Sequence, residues 1–146
     1  MSKEIDLSIP IEAIRSADFV YIIGNGGSAS TANHFANDLV KQVGVRAISL
    51  CSNEAIVMAY ANDNGYANVF TEQLKVFLAP ADLLISISGS GTSMNIVKAI
   101  EYAKQMGVKT WSMPTMKETG MDMLQVEDYH LHLAHEIARE MRKGKA

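Results

Sequence analysis

A chain of 146 residues, 48% apolar and 20% charged, has the length and balance of one folded domain with a sizeable core, not of two. Its formal charge of −3 offers no general attraction to a nucleic-acid backbone, and the basic end Met141-Arg-Lys-Gly-Lys-Ala146 is too short to argue otherwise. A single cysteine precludes an intramolecular disulfide; with no signal-like apolar core and no apolar run near roughly 18 residues, the sequence predicts a cytoplasmic protein without a membrane partner.

Pro10 opens a short helix over residues 10–18, and the β-branched and aromatic run Phe19 to Ile23 reads as the first strand. The run stops at Gly24 and passes through Asn25, Gly26 and Gly27. A helical pattern then begins at Ser28 and continues to about Gln42, with Ala32, Phe35, Ala36, Leu39 and Val40 on its buried stripe. Strand, tight turn and helix in that order present backbone N–H groups to an anion, with Ser28 serving either as N-cap or as a ligand hydroxyl. The same turn in many α/β proteins binds nothing. A nucleotide cofactor is not expected: Ala29 stands where a dinucleotide turn has its third glycine, no clean acidic residue sits at the tip of strand two, and no Gly-Lys-Ser or Gly-Lys-Thr occurs.

Gly44 ends that helix and Val45 to Leu50 forms strand two, followed by a short helix over Asn53 to Ala61, the turn Asn62-Asp-Asn-Gly-Tyr66, and a helix from Val69 to Leu78. Leu83 to Ile87 is nearly unbroken apolar, as suits a parallel strand covered on both faces. It runs into a second small-residue turn, Ser88-Gly-Ser-Gly-Thr-Ser93, and a helix from Met94 to Met106. Val108 to Met113 is strand four, Pro114 to Asp122 is irregular or weakly helical, and a last helix runs from about Val126 to Arg142. Strict alternation of strand and helix predicts a three-layer α-β-α fold with a parallel sheet of four or five strands. Right-handed crossovers bring both small-residue turns to one carboxyl edge, where hydroxyls and N–H groups can hold a phosphomonoester without lysine or metal.

His34 and Asp38, four apart, share one helix face near the loop end of the sheet and suit a divalent ion or a hydroxylated substrate; the alternative is local hydrogen bonding and solvation. His130, His132 and His135 crowd the last helix, a clustering that composition does not require and that suits a functional role; the alternative is that only His135 turns inward and the other two sit at the surface or a subunit contact. Cys51 reads as a small buried residue, Trp111 as core, and the five methionines between 106 and 123 as soft core filling. Tyr66 suits a ligand or a neighbouring subunit.

Gly24-Asn-Gly-Gly-Ser-Ala, His34-Phe-Ala-Asn-Asp38, Asn62-Asp-Asn-Gly-Tyr66 and Ser88-Gly-Ser-Gly-Thr-Ser-Met-Asn95 together resemble the sugar isomerase (SIS) domain, and within it the phosphoheptose isomerases. The likeness runs from Phe19 to Thr110 and resumes near Glu127. It implies a flavodoxin-like sheet, a homo-oligomer (dimer or tetramer) with shared sites, often a bound Zn2+, and interconversion of sedoheptulose 7-phosphate and a D-glycero-D-manno-heptose 7-phosphate through an enediol. By the same resemblance Ser88, Ser90 and Ser93 hold phosphate with Gly89 between them, and Ser28 joins from the Gly26-Gly27 turn. Asn25 and Asp63 line the sugar. Asp38 and His135 are the acid/base pair, and His34, Asp38, Glu127 and His135 face the metal. The chain departs from the pattern at five places, one of them Leu124, where the family has an aspartate shortly before the last helix. Only Met1 to Ser16 precede the core, and no fifth strand is evident after Met113. Asp38 replaces a glutamate and Gly89 a threonine. A non-catalytic SIS module that senses a sugar phosphate or adapts another protein is the competing expectation.

Overall fold

A computed structural model describes residues 5–144. The two apolar runs form β1 (Val20–Gly24) and β3 (Leu83–Ile87), in which every residue is buried. They are the central pair of a four-stranded sheet ordered β2-β1-β3-β4, with β2 (Ala47–Ser49) and β4 (Lys109–Ser112) at the edges. All three pairings are parallel, and the register from Val20↔Leu83 to Gly24↔Ile87 ends both central strands at one edge. β2 is shorter than the predicted 45–50, although Arg46 and Leu50 still bond to Val20 and Ile22 at its ends. Among the described residues no fifth strand follows β4. The chain instead forms the one-turn α6 (Met116–Thr119), started by a Thr115–Glu118 capping box.

Side chains alternate across the central strands. Val20, Ile22, Leu83 and Ile85 meet Ile11 of α1 (Ser8–Ser16), Phe35 of α2 (Gly27–Asp38) and Ile137 of α7 (Met123–Arg142). Tyr21, Ile23 and Leu84 meet Leu74 of α4 (Val69–Phe77) and Ile96 of α5 (Met94–Gln105) on the other face. Helices thus cover both faces, while α3 (Glu54–Asn64) buries no residue and rests on α4. The chain leaves β1 toward one face and β3 toward the other, which opens a crevice between their carboxyl ends.

α2 and α7 lie side by side and run the same way: Gly27 is against Glu127, His34 against His135, and Gln42 against Arg142. α2 continues as a π turn, Leu39–Val43, until Gly44 takes φ +83° and the N–H groups of Gly44 and Val45 return to the carbonyls of Val40 and Leu39. Three smaller expectations change. Of the five methionines only Met113 is buried, and Met106 and Met123 are exposed. Trp111 is half-buried against the first core because β4 is an edge strand. His130, free to be a surface residue by sequence, is fully buried. Among the described residues no helix is long and apolar enough to cross a membrane.

Candidate active site

The two small-residue turns meet at the carboxyl edge of β1 and β3. Asn25, Gly26, Gly27, Ser28, Ser88, Gly89, Ser90 and Ser93 line one cleft of about 220 Å3, with Met123 and Glu127 of α7 closing its side. α2 and α5 both start here without a side-chain cap, whereas α3, α6 and α7 are capped by Asn53, Thr115 and Asp122. The positive ends of two helices therefore face the cleft, although the N–H groups of Ser28, Ala29 and Ile96 are already bonded to the carbonyls of Asn25, Gly26 and Ser93. The serine loop is braced from within: Gly91 N–H donates to Ser88 Oγ at 2.9 Å, and Thr92 N–H to Ser90 Oγ at 3.2 Å. Each hydroxyl thereby spends acceptor capacity on the loop and keeps its proton for an anion oxygen. A side chain at Gly89 would bring its Cβ within 2.5 Å of Met123 Sδ, so glycine at this point and methionine at the start of α7 belong together.

Asn25 does more than line the cleft. Its carboxamide exchanges two bonds of 2.9 Å with that of Asn95, which is 2% exposed in the first turn of α5, and its Oδ1 also accepts from Tyr66 Oη at 2.6 Å. The reciprocal amide pair ties the first ligand turn to the helix that follows the second. Asn95 closes the serine-loop motif, and an amide pair across 70 positions leaves no spacing pattern from which its role could be read. Asp63 is not brought into this group. It is exposed at the end of α3, accepts from Asn62 Nδ2 at 3.0 Å, and is not among the residues lining the cleft.

The second centre lies further along the same helix pair. Asp38 Oδ2 is 3.3 Å from His34 Nε2 and 3.7 Å from His135 Nε2, and the two imidazole nitrogens are 2.9 Å apart. The donor atoms lie within 4.8 Å of one another, a set that can hold a metal ion. The pair is not near the loop end of the sheet, as its sequence position suggested. α2 runs away from that edge at about 1.5 Å per residue, which sets His34 roughly 10 Å and Asp38 roughly 16 Å from Gly27. Nor does the structure bring Glu127 into this group. Eight positions before His135, it sits about 12 Å up α7 with its carboxylate over Gly27, where a Cβ would be 2.6 Å from Oε2. Asp38, for all its short side chain, reaches both histidines.

The remaining histidines separate. His132 is exposed, while the Nε2 of buried His130 donates to the Pro114 carbonyl at 2.5 Å and its Nδ1 has no partner. Burial holds the His130 imidazole below its ordinary pKa, against the opposing pull of the Pro114 carbonyl and Glu127. Cys51 is half-buried with its thiol 3.1 Å from the Gly24 carbonyl, and burial pushes its pKa up, which suits an inert packing residue.

A family model described as the SIS domain matches residues 7–114. The phosphoheptose isomerase of Helicobacter pylori (strain Shi470) is 44% identical over 108 residues, covering 70% of this chain and 56% of that protein. The chain therefore spans a little over half of such a relative. The phosphoheptose isomerase of Crocosphaera subtropica is 34% identical over 141 residues, covering 90% of this chain and 72% of that protein. Among solved structures, phosphoheptose isomerases from Neisseria gonorrhoeae and Francisella tularensis share the fold with TM-scores of 0.82 and 0.85, each at 23% identity and over 94% of this chain. They cover 83% and 84% of those chains respectively.

Proposed function

From the premise that the chain belongs to the SIS domain family, we propose that it is an aldose–ketose isomerase that converts sedoheptulose 7-phosphate to a D-glycero-D-manno-heptose 7-phosphate. Relatives named phosphoheptose isomerase at 34–44% identity support the substrate. The observation that carries the reading is a length. Gly27 and His34, seven positions apart, lie on the α7-facing side of α2 and are separated by roughly 10 Å of rise. An extended chain covers about 1.2 Å per bond, so the roughly seven bonds from phosphorus to C2 of a seven-carbon ketose phosphate span about 8–9 Å. A phosphate in the cleft sets the reacting carbons beside His34, Asp38 and His135.

In this reading the helix N-termini and the hydroxyls of Ser28, Ser88, Ser90 and Ser93 bind the phosphate, whose binding energy orients the distant reacting end. Asn25, fixed by Asn95 and Tyr66, faces the sugar hydroxyls, while Asp63, outside the cleft lining, is assigned to the sugar by family resemblance alone. Asp38 and His135 exchange protons with the carbons and oxygens of the enediol from facing helices. The donor set also fits zinc. Tetrahedral ligands about 2.0–2.1 Å from the ion stand about 3.3 Å apart, and the observed separations of 2.9, 3.3 and 3.7 Å bracket that value. Zinc held by His34, Asp38 and His135, with Glu127 set apart toward the phosphate end, would polarise the sugar carbonyl. No nucleotide takes part.

A homo-oligomer, dimer or tetramer, completes the site. The groove is open to solvent, with His34 and His135 side chains 47% and 42% exposed, and Leu124 of α7 beside it is 75% exposed. Light scattering at micromolar concentration should give at least a dimer, and a monomer would remove the shared site. The function itself is tested by incubating the protein with sedoheptulose 7-phosphate in deuterated water, with and without zinc, and following C–H exchange and product by NMR. Exchange and product are expected. Neither, across metals and pH, with sugar-phosphate binding intact, would leave a non-catalytic sensor in its place.

A further inference from the structure

The Asn25–Asn95 pair has two settings that it cannot choose between alone. Turning both carboxamides over puts each oxygen where a nitrogen stood and remakes both 2.9 Å bonds. The settings differ in what Asn25 shows on its remaining flanks, an N–H or a carbonyl oxygen. Tyr66 makes the choice. Its Oη lies 2.6 Å from Asn25 Oδ1, an ordinary O–H···O separation and a short one for N–H···O. With the phenol donating there, both acceptor positions of Oδ1 are spent, one N–H goes to Asn95, and one N–H is left over. The Tyr66 ring is 56% exposed, so packing accounts for little of its presence; what it adds here is a hydroxyl. Its seat is nonetheless fixed. Gly65 takes φ +88° and turns the chain out of α3 into a single 3-10 turn, Tyr66–Asn68. Lys98 of α5 donates to Asn68 Oδ1 at 3.2 Å, one turn along the helix from Asn95. Phenol and amide thus reach Asn25 from one rigid support.

We propose that Tyr66 is a positioning residue that sets Asn25 as a hydrogen-bond donor toward the cleft, where it meets an acceptor oxygen at the phosphate end of the sugar. The proposal rests on the reading of the cleft as a sugar-phosphate site. In a carboxamide engaged in a reciprocal pair, the second lone pair of the oxygen and the second N–H lie on opposite flanks. Asn25 lines the cleft and Tyr66 does not, so the flank away from the phenol, with the free N–H, is the one a ligand meets. Phosphate and ester oxygens take hydrogen bonds and have none to give, so a carbonyl turned toward them would set lone pair against lone pair. The positive ends of α2 and α5 draw just such a carbonyl toward the empty cleft. The phenol holds the amide against that pull. Without its hydroxyl the donor setting becomes a minor state, and the apparent affinity falls by the fraction that remains in it.

The test titrates the full chain with sedoheptulose 7-phosphate by calorimetry and compares wild type, Y66F, N25A and the double variant Y66F/N25A. Y66F keeps the ring and loses only the hydroxyl. It should weaken binding about tenfold, and in the exchange assay most of its loss should fall on KM, not kcat. N25A should cost at least as much. The double variant should bind no worse than N25A, because Tyr66 acts through Asn25; a residue that only supports the turn would add its cost to that of N25A. If N25A does not fold, the side-chain amide resonances of Asn25 are followed by NMR in wild type and Y66F. One Nδ2 proton should shift on adding the sugar phosphate to wild type, and Asn25 resonances identical in the two proteins overturn the proposal. Y66F binding within about twofold of wild type, or losses that add in the double variant, overturns the role of Tyr66 alone. A wild type that binds no sugar phosphate overturns the reading of the cleft, and this role with it.

Discussion

The two ends of the groove are built from different materials. The proposed phosphate end is backbone and small hydroxyls: two helix N-termini without side-chain caps, brought together because β1 and β3 are neighbours in register. The proposed reacting end is side chains alone, with His34 and Asp38 from α2 and His135 from α7, held by nothing more than the parallel packing of two helices. Geometry at the first end is set by local chain conformation and tolerates a lost hydroxyl. At the second, each group is singular. Binding should therefore degrade gradually and chemistry abruptly.

The largest expected effect is on chemistry. D38N and H135A should each reduce C–H exchange by about 10²- to 10⁴-fold, the span of general acid–base contributions, while calorimetry finds phosphate-dependent binding unchanged. If either substitution weakened binding as much as exchange, the division between the two ends would be wrong. Next comes the backbone under the phosphate end. A Cβ at Gly24 would lie 2.6 Å from the Ser28 carbonyl oxygen and 3.0 Å from that of Ile87, backbone on both sides. At Gly27 it would meet the tip of the Glu127 side chain, which can swing aside. G24A should accordingly cost about 1–3 kcal/mol of unfolding stability, and G27A much less, measured by denaturant titration. Equal losses would mean that the turn is not what the glycines protect.

S88A with S90A should weaken sugar-phosphate binding about tenfold, on the order of 1–3 kcal/mol, without changing the exchange rate at saturating substrate. Unchanged affinity would sink the cleft as the phosphate site. A fall in the saturated rate would mean that the remote phosphate contributes more at the transition state than in the ground state.

The same difference in materials explains what could be read from the sequence. Gly24-Asn-Gly-Gly-Ser and Ser88-Gly-Ser-Gly-Thr-Ser encode their turns locally, so the strand–turn–helix units and their shared edge were legible before any coordinates. The β3 bounds of 83–87 agree residue for residue. What failed was distance along and around helices. The spacing of His34 and Asp38 fixes a face but says nothing of how far α2 has run, so the expectation of a pair near the loop end of the sheet misses that rise. Glu127 was grouped with His135 by resemblance alone, and eight positions of rise set it over Gly27 instead. The Asn25–Asn95–Tyr66 network and the Gln42–Arg142 bond join residues 41 to 100 positions apart whose types carry no pattern. Long-range side-chain partnerships of this kind become visible only when the packing of α2 and α7 is known.

His130 ties the two ends together, since it lies on the buried side of α7 between Glu127 and His135 and fixes that helix to the Pro114 carbonyl. Its protonation behaviour gives the smallest of the expected effects. Burial lowers its folded-state pKa below the ordinary value of 6.5, so the unfolded chain takes up a proton that the folded chain refuses. Stability contributed by neutral His130 is therefore complete above about pH 6.5 and declines as the pH falls below it, toward the lowered pKa. H130L removes both the proton site and the Pro114 bond. It should melt below wild type at about pH 7.5, and the gap between the two midpoints should narrow by about pH 5, because only wild type carries this penalty in acid. Thermal melts of both proteins across that range decide the matter. A gap that stays constant would mean that the imidazole accepts its proton in place, and that α7 can carry a charge between its two functional ends without loosening.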